Sequence, residues 1–202
     1  MKIDFKAEDV DFAKGGGLVP AVIQDYATLK VLMLGYMNRE SLDKTLECGK
    51  VVFFSRSRNT LWTKGETSGN YLIAKEMFLD CDNDTILVKA EPMGPVCHKG
   101  TTSCFKTDDT EGFIRELEKV VYNRKEERPK GSYTVELFDA GINRMAQKIG
   151  EEAIESVIEA VSNNDERFIY ESSDLIYHLL VLLASKNMTI ADLEKELYKR
   201  HK

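Results

Sequence analysis

The sequence predicts an α+β chain, an N-terminal mainly-β domain followed by an all-α helical bundle. Three observations predict it. Up to about residue 107, short apolar runs of strand length alternate with glycine-containing turns. Beyond that point apolar residues recur at intervals of three and four, the helical period. Between the two patterns lies Lys125-Glu126-Glu127-Arg128-Pro129-Lys130-Gly131-Ser132, a charged stretch with Pro and Gly that suits a linker. The expected limits are residues 1–107 for the β-rich domain, 108–130 for a helix and charged linker, and 131–202 for the bundle.

Each element follows from its residues. Strands are expected over residues 18–24, 31–36, 51–55, 77–79 and 85–90, with Gly15-Gly16-Gly17, Gly49, Gly69-Asn70 and Gly94-Pro95 supplying turns. A helix runs from Asn38 or Arg39 to Cys48 and stops at Gly49. Residues 108–124 place Phe113, Ile114, Leu117, Val120 and Val121 at helical spacing. Residues 135–161 read as one long helix through Phe138, Ile142, Met145, Ile149, Ile154 and Ile158. A second spans about 166–185 through Phe168, Leu175, Leu179 and Leu182. A third begins near Thr189, where Asp192 makes a capping-box-like start, and continues through Leu193 and Leu197. So small a helical core often needs oligomerisation, and self-association as a homodimer is expected.

Composition excludes several classes. Hydrophobic residues make up 43% of the 202 residues, enough to offset chain entropy, so disorder is excluded. A net charge of −6 argues against a general nucleic-acid binder but leaves room for small phosphorylated ligands at a local basic cluster. No apolar run approaches the ~18 residues of a membrane span. The start carries Asp4, Glu8 and Asp9 without an apolar stretch, unlike a secretory signal or an Arg-rich transit peptide. The expected location is the cytoplasm, with neither membrane nor nucleic acid as partner. In that compartment Cys48, Cys81, Cys97 and Cys104 serve as thiols or metal ligands rather than disulfides.

Two segments of the first half carry chemistry. Asp80-Cys81-Asp82-Asn83-Asp84 alternates, so an extended strand would line Asp80, Asp82 and Asp84 on one face and turn Cys81 to the other. Three like charges on one face invite a cation, and carboxylates suit Mg²⁺ or Ca²⁺. An EF-hand loop fails here, because its sixth position is Thr85 and Pro92, Gly94 and Pro95 forbid the exiting helix. Cys97 and Cys104 follow in residues 94–105 and, with Cys81, give three soft ligands. Three protein ligands and an open position describe catalytic zinc; four describe structural zinc. His98 is the alternative fourth ligand, although neighbours in an extended chain point apart, which favours the open site. Cys48 has no partner and reads as a packing residue. The second segment, residues 55–70, concentrates Arg56, Arg58 and Lys64 around Trp62, with hydroxyls such as Ser68 and glycines between them. Planar guanidinium forks, hydroxyls and exposed N–H groups make a phosphate cradle.

The runs Leu18-Val19-Pro20-Ala21-Val22-Ile23-Gln24-Asp25, Ser55-Arg56-Ser57-Arg58, Leu61-Trp62-Thr63-Lys64-Gly65-Glu66-Thr67-Ser68-Gly69-Asn70, Asp80-Cys81-Asp82-Asn83-Asp84 and Cys97-His98 with Cys104-Phe105 resemble phosphoribosyl-AMP cyclohydrolase over about residues 15–107. Gly35 departs from the Ala common in that family. The resemblance implies zinc on Cys81, Cys97 and Cys104, magnesium on Asp80, Asp82 and Asp84, and a dimer in which the first cysteine serves the partner's zinc site. It also implies the reaction, in which zinc-bound hydroxide attacks C6 of an N1-substituted adenine and the N1–C6 bond opens. His98 is the candidate general acid/base, with a phosphate-facing role as the alternative. Arg56, Arg58 and Lys64 would hold the phosphates, and Trp62 would stack on a ring or pack.

The second half carries acidic helix faces. At about 100° per residue, Glu171, Asp174 and His178 share an arc flanked by Leu175 and Leu182, and Glu151 and Glu155 lie near Ile154 and Ile158. Carboxylates at the edge of a core are costly unless paired or bound to metal. Glu151-Glu152-x-x-Glu155 followed by Glu171-x-x-Asp174 resembles the all-α nucleotide pyrophosphohydrolases, and Lys148-Ile149-Gly150 with Tyr177-His178 resembles their phosphoribosyl-ATP branch. This implies Mg²⁺ on Glu151, Glu152, Glu155, Glu171 and Asp174, and hydrolysis of phosphoribosyl-ATP to phosphoribosyl-AMP and pyrophosphate, with Glu155 orienting the attacking water. His178 either supports Asp174 or packs. The whole chain then reads as a bifunctional hydrolase of histidine biosynthesis. The alternative is a house-cleaning nucleoside triphosphate pyrophosphatase whose zinc domain only binds.

Overall fold

The computed structural model describes residues 1–106, 110 and 112–201. The expected helix start at Asp108, and the boundary set between residues 107 and 108, lie outside the described residues. The chain divides into two compact units, Met1–Gly112 and Phe113–Lys202.

The first unit is built on a five-stranded mixed sheet. Its strands are β1 (Lys2–Ile3), β2 (Val19–Asp25), β3 (Val31–Met37), β6 (Leu72–Leu79) and β7 (Ile86–Pro92), in the order β1-β6-β7-β2-β3. A separate antiparallel hairpin joins β4 (Val52–Ser55) to β5 (Thr60–Thr63). Strand β2 alternates as its pattern requires: Val19, Ala21 and Ile23 are fully buried, and the residues between them are not. Helix α1 (Arg39–Cys48) begins at Asn38, whose Oδ1 accepts from the Ser41 N–H at 2.9 Å. It ends at Gly49, in the left-handed region at φ 71°. Thr45, fully buried, ties this helix to β4 through its hydroxyl, which accepts from the Val52 N–H at 2.9 Å.

Gly35 explains its own departure from the family pattern. A Cβ there would lie 2.3 Å from the ring of Phe53, which is fully buried. Phe53 in turn backs Trp62, with ring centroids 5.1 Å apart. Residues 80–84 do not form the expected strand. They make the turn between β6 and β7, because Asp80 caps it: its Oδ1 accepts from the N–H groups of Asp84 at 3.0 Å and Thr85 at 3.1 Å. Asn83 takes the left-handed conformation that completes the turn, at φ 66°.

The second unit is all helix: α2 (Phe113–Glu127), α3 (Tyr133–Ala140), α4 (Ile142–Val161), α5 (Asp165–Ser185) and α6 (Ile190–Arg200). The single helix expected over 135–161 is therefore two. Gly141, at φ 83° and ψ 177°, breaks the hydrogen-bond ladder between α3 and α4. Helix α2 packs against α5 and α3, within this unit, and Val121 at its centre is fully buried. The core is small: Val121, Leu137, Met145, Leu180, Val181 and Ala184.

The apolar spacing on α4 named the inward face only in part, for Met145 is in the core as expected. Ile142, Ile154 and Ile158 are exposed, and Met145, Glu152 and Ser156 are the buried residues. On α5, likewise, Phe168 is exposed, whereas Glu171, His178 and Leu180 are buried. Among the described residues, α5 is the one helix long and apolar enough to cross a membrane by length and composition alone. Here it is the central helix of the bundle, interrupted by Glu171, Asp174 and His178. The capping box at α6 is as expected, with the Asp192 carboxylate accepting from the Thr189 N–H at 2.9 Å.

Candidate active sites

A cleft of about 520 Å³ in the first unit gathers two of the segments singled out in the sequence. Arg58, Trp62, Lys64 and Ser68 line it from the hairpin and the loop after β5. Cys97, His98 and Cys104 line it from the segment after β7. Backbone bonds hold the thiols in place. The Cys104 N–H donates to the Leu32 carbonyl at 2.7 Å, and the buried Ser103 hydroxyl donates to the Val31 carbonyl at 2.8 Å. Cys97 sits in a tight turn, its N–H donating to the Thr101 carbonyl at 3.0 Å. Asn70 clasps the two segments together, its Nδ2 donating to the Pro95 carbonyl at 3.2 Å. A Cβ at Gly94 would lie 2.5 Å from Asn70 Oδ1, so the close approach needs glycine there.

Cys97 and Cys104 line the same cleft, and each influences the ionisation of the other. The Lys99 N–H, with Thr101, lowers the Cys97 pKa, whereas burial and the neighbouring Cys97 raise that of Cys104. One thiol poised towards thiolate beside a second sulfur is a donor pair that fits a soft metal. His98 Nδ1 lies 4.0 Å from Cys97 Sγ. Arg56 is elsewhere: its guanidinium carbon stands 3.7 Å from the Tyr36 ring centroid, and it is not among the residues lining the cleft.

Cys81 is exposed on the β6–β7 turn. Among the described residues, no cluster of ligand atoms joins it to Cys97 and Cys104 within one chain. Asp80, Asp82 and Asp84 do converge on that turn, with oxygens within 4.8 Å of one another. Burial opposes ionisation of Asp80, but donation from Thr85 and Asp84 outweighs it and holds the pKa below its ordinary value. Lys14, 68 residues away in sequence, reaches this cluster, its Nζ 3.1 Å from Asp82 Oδ2 and 3.6 Å from Asp84 Oδ2.

In the helical unit Glu152 and Glu155 on α4 and Glu171 on α5 bring oxygens within 4.8 Å of one another. Glu152 is 4% exposed and Glu171 is 3%, so two carboxylates face each other inside the bundle. Basic groups hold them there. Lys148 Nζ lies 2.5 Å from Glu152 Oε1, and Arg167 pairs with Glu171 one turn along α5. His178 Nε2 lies 3.7 Å from Glu152 Oε1, and its Nδ1 is buried without a hydrogen-bond partner. Burial, then Lys148, lowers the His178 pKa. Partial burial and the charges of Glu152 and Glu171 raise that of Glu155. Glu151 and Asp174 are not in this cluster. Glu151 faces Arg144, Gln147 and Lys148 instead, and Lys148 lowers its pKa.

Sequence reasoning gave no site role to Lys14, Asn70, Ser103, Lys148 or Arg167, although Asn70 and Lys148 lie within the motifs. Lys148–Glu152 and Arg167–Glu171 were legible as pairs four apart. The contacts of Lys14, Asn70 and Ser103 are made by tertiary folding and leave no local signal.

A cleft lined by two thiols and basic side chains in one unit and a carboxylate cluster in the other are the two candidate sites, and the matches to known families make the chain a hydrolase. The family model described as phosphoribosyl-AMP cyclohydrolase matches residues 33–106, and that described as phosphoribosyl-ATP pyrophosphohydrolase matches residues 114–201. The histidine biosynthesis bifunctional protein HisIE of Bacteroides thetaiotaomicron is 56% identical over 195 residues, 96% of each chain. That of Escherichia coli K12 is 48% identical over 202 residues, the whole of both chains. The chain belongs to the bifunctional histidine-biosynthesis hydrolases that join a phosphoribosyl-AMP cyclohydrolase to a phosphoribosyl-ATP pyrophosphohydrolase.

Proposed function

We propose that the helical unit hydrolyses phosphoribosyl-ATP to phosphoribosyl-AMP and pyrophosphate, and that the cleft then opens the adenine ring of phosphoribosyl-AMP at N1–C6. The observation that carries the reading is the placement of Cys97 and Cys104 in one cleft that also holds Arg58 and Lys64.

In the cleft, Cys97 and Cys104 would hold zinc, with Cys81 supplied by a second copy of the chain. The ion, when bound, makes water a competent nucleophile near neutral pH. Arg58 and Lys64 bind the phosphates, and Ser68 adds a hydroxyl. Trp62, stiffened by Phe53, bounds the pocket for a ring. His98, exposed at the cleft, moves protons as C6 gains oxygen and N1 leaves. Arg56 guides phosphate from outside the cleft. Asp80, Asp82 and Asp84 would hold magnesium. In the bundle, Glu152, Glu155 and Glu171 would hold Mg²⁺, with Glu151 and Asp174 around them; the ion neutralises phosphate charge. Glu155, the exposed member of the cluster, orients the attacking water.

The homodimer is part of this reading. Ile154, Val157, Ile158 and Val161 form an exposed apolar stripe on α4, between 55% and 78% exposed, which a second copy would cover. A cytoplasmic location fits four free cysteines, three of them needed as reduced ligands. A house-cleaning nucleoside triphosphate pyrophosphatase is not favoured, because both family models match this chain and its relatives are named as bifunctional proteins of histidine biosynthesis. Incubation with phosphoribosyl-ATP, Zn²⁺ and Mg²⁺ tests the proposal. Pyrophosphate should appear first and the ring-opened imidazole after it; ordinary nucleoside triphosphates hydrolysed equally well, with no opened product, would refute it.

A further inference from the structure

Lys148 occupies an unusual position in the helical site. Its ammonium is 2.5 Å from Glu152 Oε1 and 3.0 Å from Glu151 Oε2, on the same face of α4. The lysine side chain is only 18% exposed and the Glu152 side chain 6%. Glu152 is at the same time one of the three carboxylates whose oxygens converge. Lysine and a divalent cation therefore compete for one buried carboxylate, because like charges a few ångströms apart repel strongly away from bulk water.

Displaced from Glu152, the ammonium keeps Glu151 alone, a carboxylate already shared with Arg144 and Gln147, so a further anion is favourable. Arg167, which pairs with Glu171, has a side chain 53% exposed, so water can take over its solvation. Lys148 has no such outlet at 18% exposure. The anion that arrives with the metal is the triphosphate. Lysine is suited to the exchange, since it is a point charge on a flexible four-carbon stem. Glu151, held also by Arg144 at 3.4 Å and Gln147 at 2.7 Å, keeps a partner when Lys148 leaves.

We infer that Lys148 is a resident counter-ion of the carboxylate cluster which a divalent cation displaces, and which then turns to the nucleotide phosphates as a positioning residue. The inference rests on the Mg²⁺-dependent reading of the helical unit. Two properties then belong to one side chain: it weakens metal binding in the free protein, and it strengthens nucleotide binding in the loaded one. A lysine that merely braces α4 has neither.

The test is Mn²⁺ titration of the full-length protein without nucleotide, followed by electron paramagnetic resonance. The binding class abolished by Glu155→Gln identifies the helical site. In Lys148→Met that class should tighten roughly tenfold, a modest part of the repulsion expected between such charges. The KM for phosphoribosyl-ATP should rise about tenfold or more while kcat falls less, and Lys148→Arg should recover most of the KM. Lys148→Gln, which retains N–H donors for Glu152, replaces the methionine variant if the latter does not fold. Mn²⁺ affinity that is unchanged or weaker, or an unchanged KM, overturns the inference. Absence of any Glu155-dependent Mn²⁺ class in the wild-type protein overturns the Mg²⁺ reading as well, and is told apart because the wild type itself then fails to bind.

Discussion

The carboxylates of Glu152 on α4 and Glu171 on α5 lie within 4.8 Å of one another, although both residues are more than nine-tenths buried. Facing carboxylates repel, and among the described residues Lys148 and Arg167 offset that charge at ion-pairing range. A folded chain keeps such an arrangement at a cost, and a divalent cation is what it suits. Glu155 completes the cluster from an exposed position, so it can be changed with least damage to the bundle. Glu155→Gln should reduce pyrophosphate release by more than about 100-fold, since a metal-site carboxylate supplies several kcal/mol of charge stabilisation. Ring opening of phosphoribosyl-AMP supplied directly should persist. Pyrophosphate release at near wild-type rate removes Glu155 from the mechanism.

Cys97→Ser makes the converse prediction. Serine keeps the volume but not the soft donor, and the backbone turn that places Cys97 does not use its side chain. Ring opening should disappear, phosphoribosyl-AMP should accumulate, and pyrophosphate release should stay within about twofold of wild type. Loss of both activities in a protein that still melts cooperatively would refute independent sites.

Gly35→Ala restores the residue common in the family, and here it should be harmful. The new Cβ would meet the buried Phe53 ring at 2.3 Å. Overpacking of this kind costs about 1–3 kcal/mol. Calorimetry should record a lower melting temperature for the first unit. The KM for phosphoribosyl-AMP should rise too, because Phe53 supports Trp62 at the cleft. An unchanged melting temperature would mean that the ring moves aside freely.

The start of α6 carries a pH dependence with a definite sign. The Thr189 N–H, then its hydroxyl, then Lys195 hold the Asp192 pKa below its ordinary value. A carboxylate with a depressed folded pKa stabilises fully above its unfolded value, roughly 3.9, and loses that contribution as pH falls through the folded value. Asp192→Asn should therefore lower the melting temperature at pH 7, and the difference should shrink below about pH 4. A difference that is constant across that range would assign the effect to shape rather than charge.

Much of the site was legible because its signals are local. Glu152 and Glu155 are three apart on one helix, and the spacing alone puts them on one face. Cys97 and Cys104 flank a short loop whose turn residues bring them together. The alternation of residues 80–84 suggested a strand, yet Asp80 capping its own turn brought the three aspartates together by another route. The inward face of α4 was read correctly at Met145 and missed further along the helix. Periodicity tells which residues share a face, but paired carboxylates took the interior and left Ile154 and Ile158 outside. Gly141 was hidden inside a continuous apolar pattern, and only its φ of 83° reveals the break between α3 and α4. Contacts such as Lys14 with Asp82, 68 residues apart, have no sequence signature at all.

The metal centre proposed for the cleft would need Cys81 from a second chain. Mixing Cys81→Ser chains with Cys97→Ser chains, after dissociation and reassociation, tests it most directly. Each variant alone should be inactive in ring opening. The mixture should regain about a quarter of wild-type activity, since half the dimers are mixed and each mixed dimer has one intact thiol set. A mixture as inactive as its parents, or a Cys81→Ser protein active by itself, would contradict the shared centre.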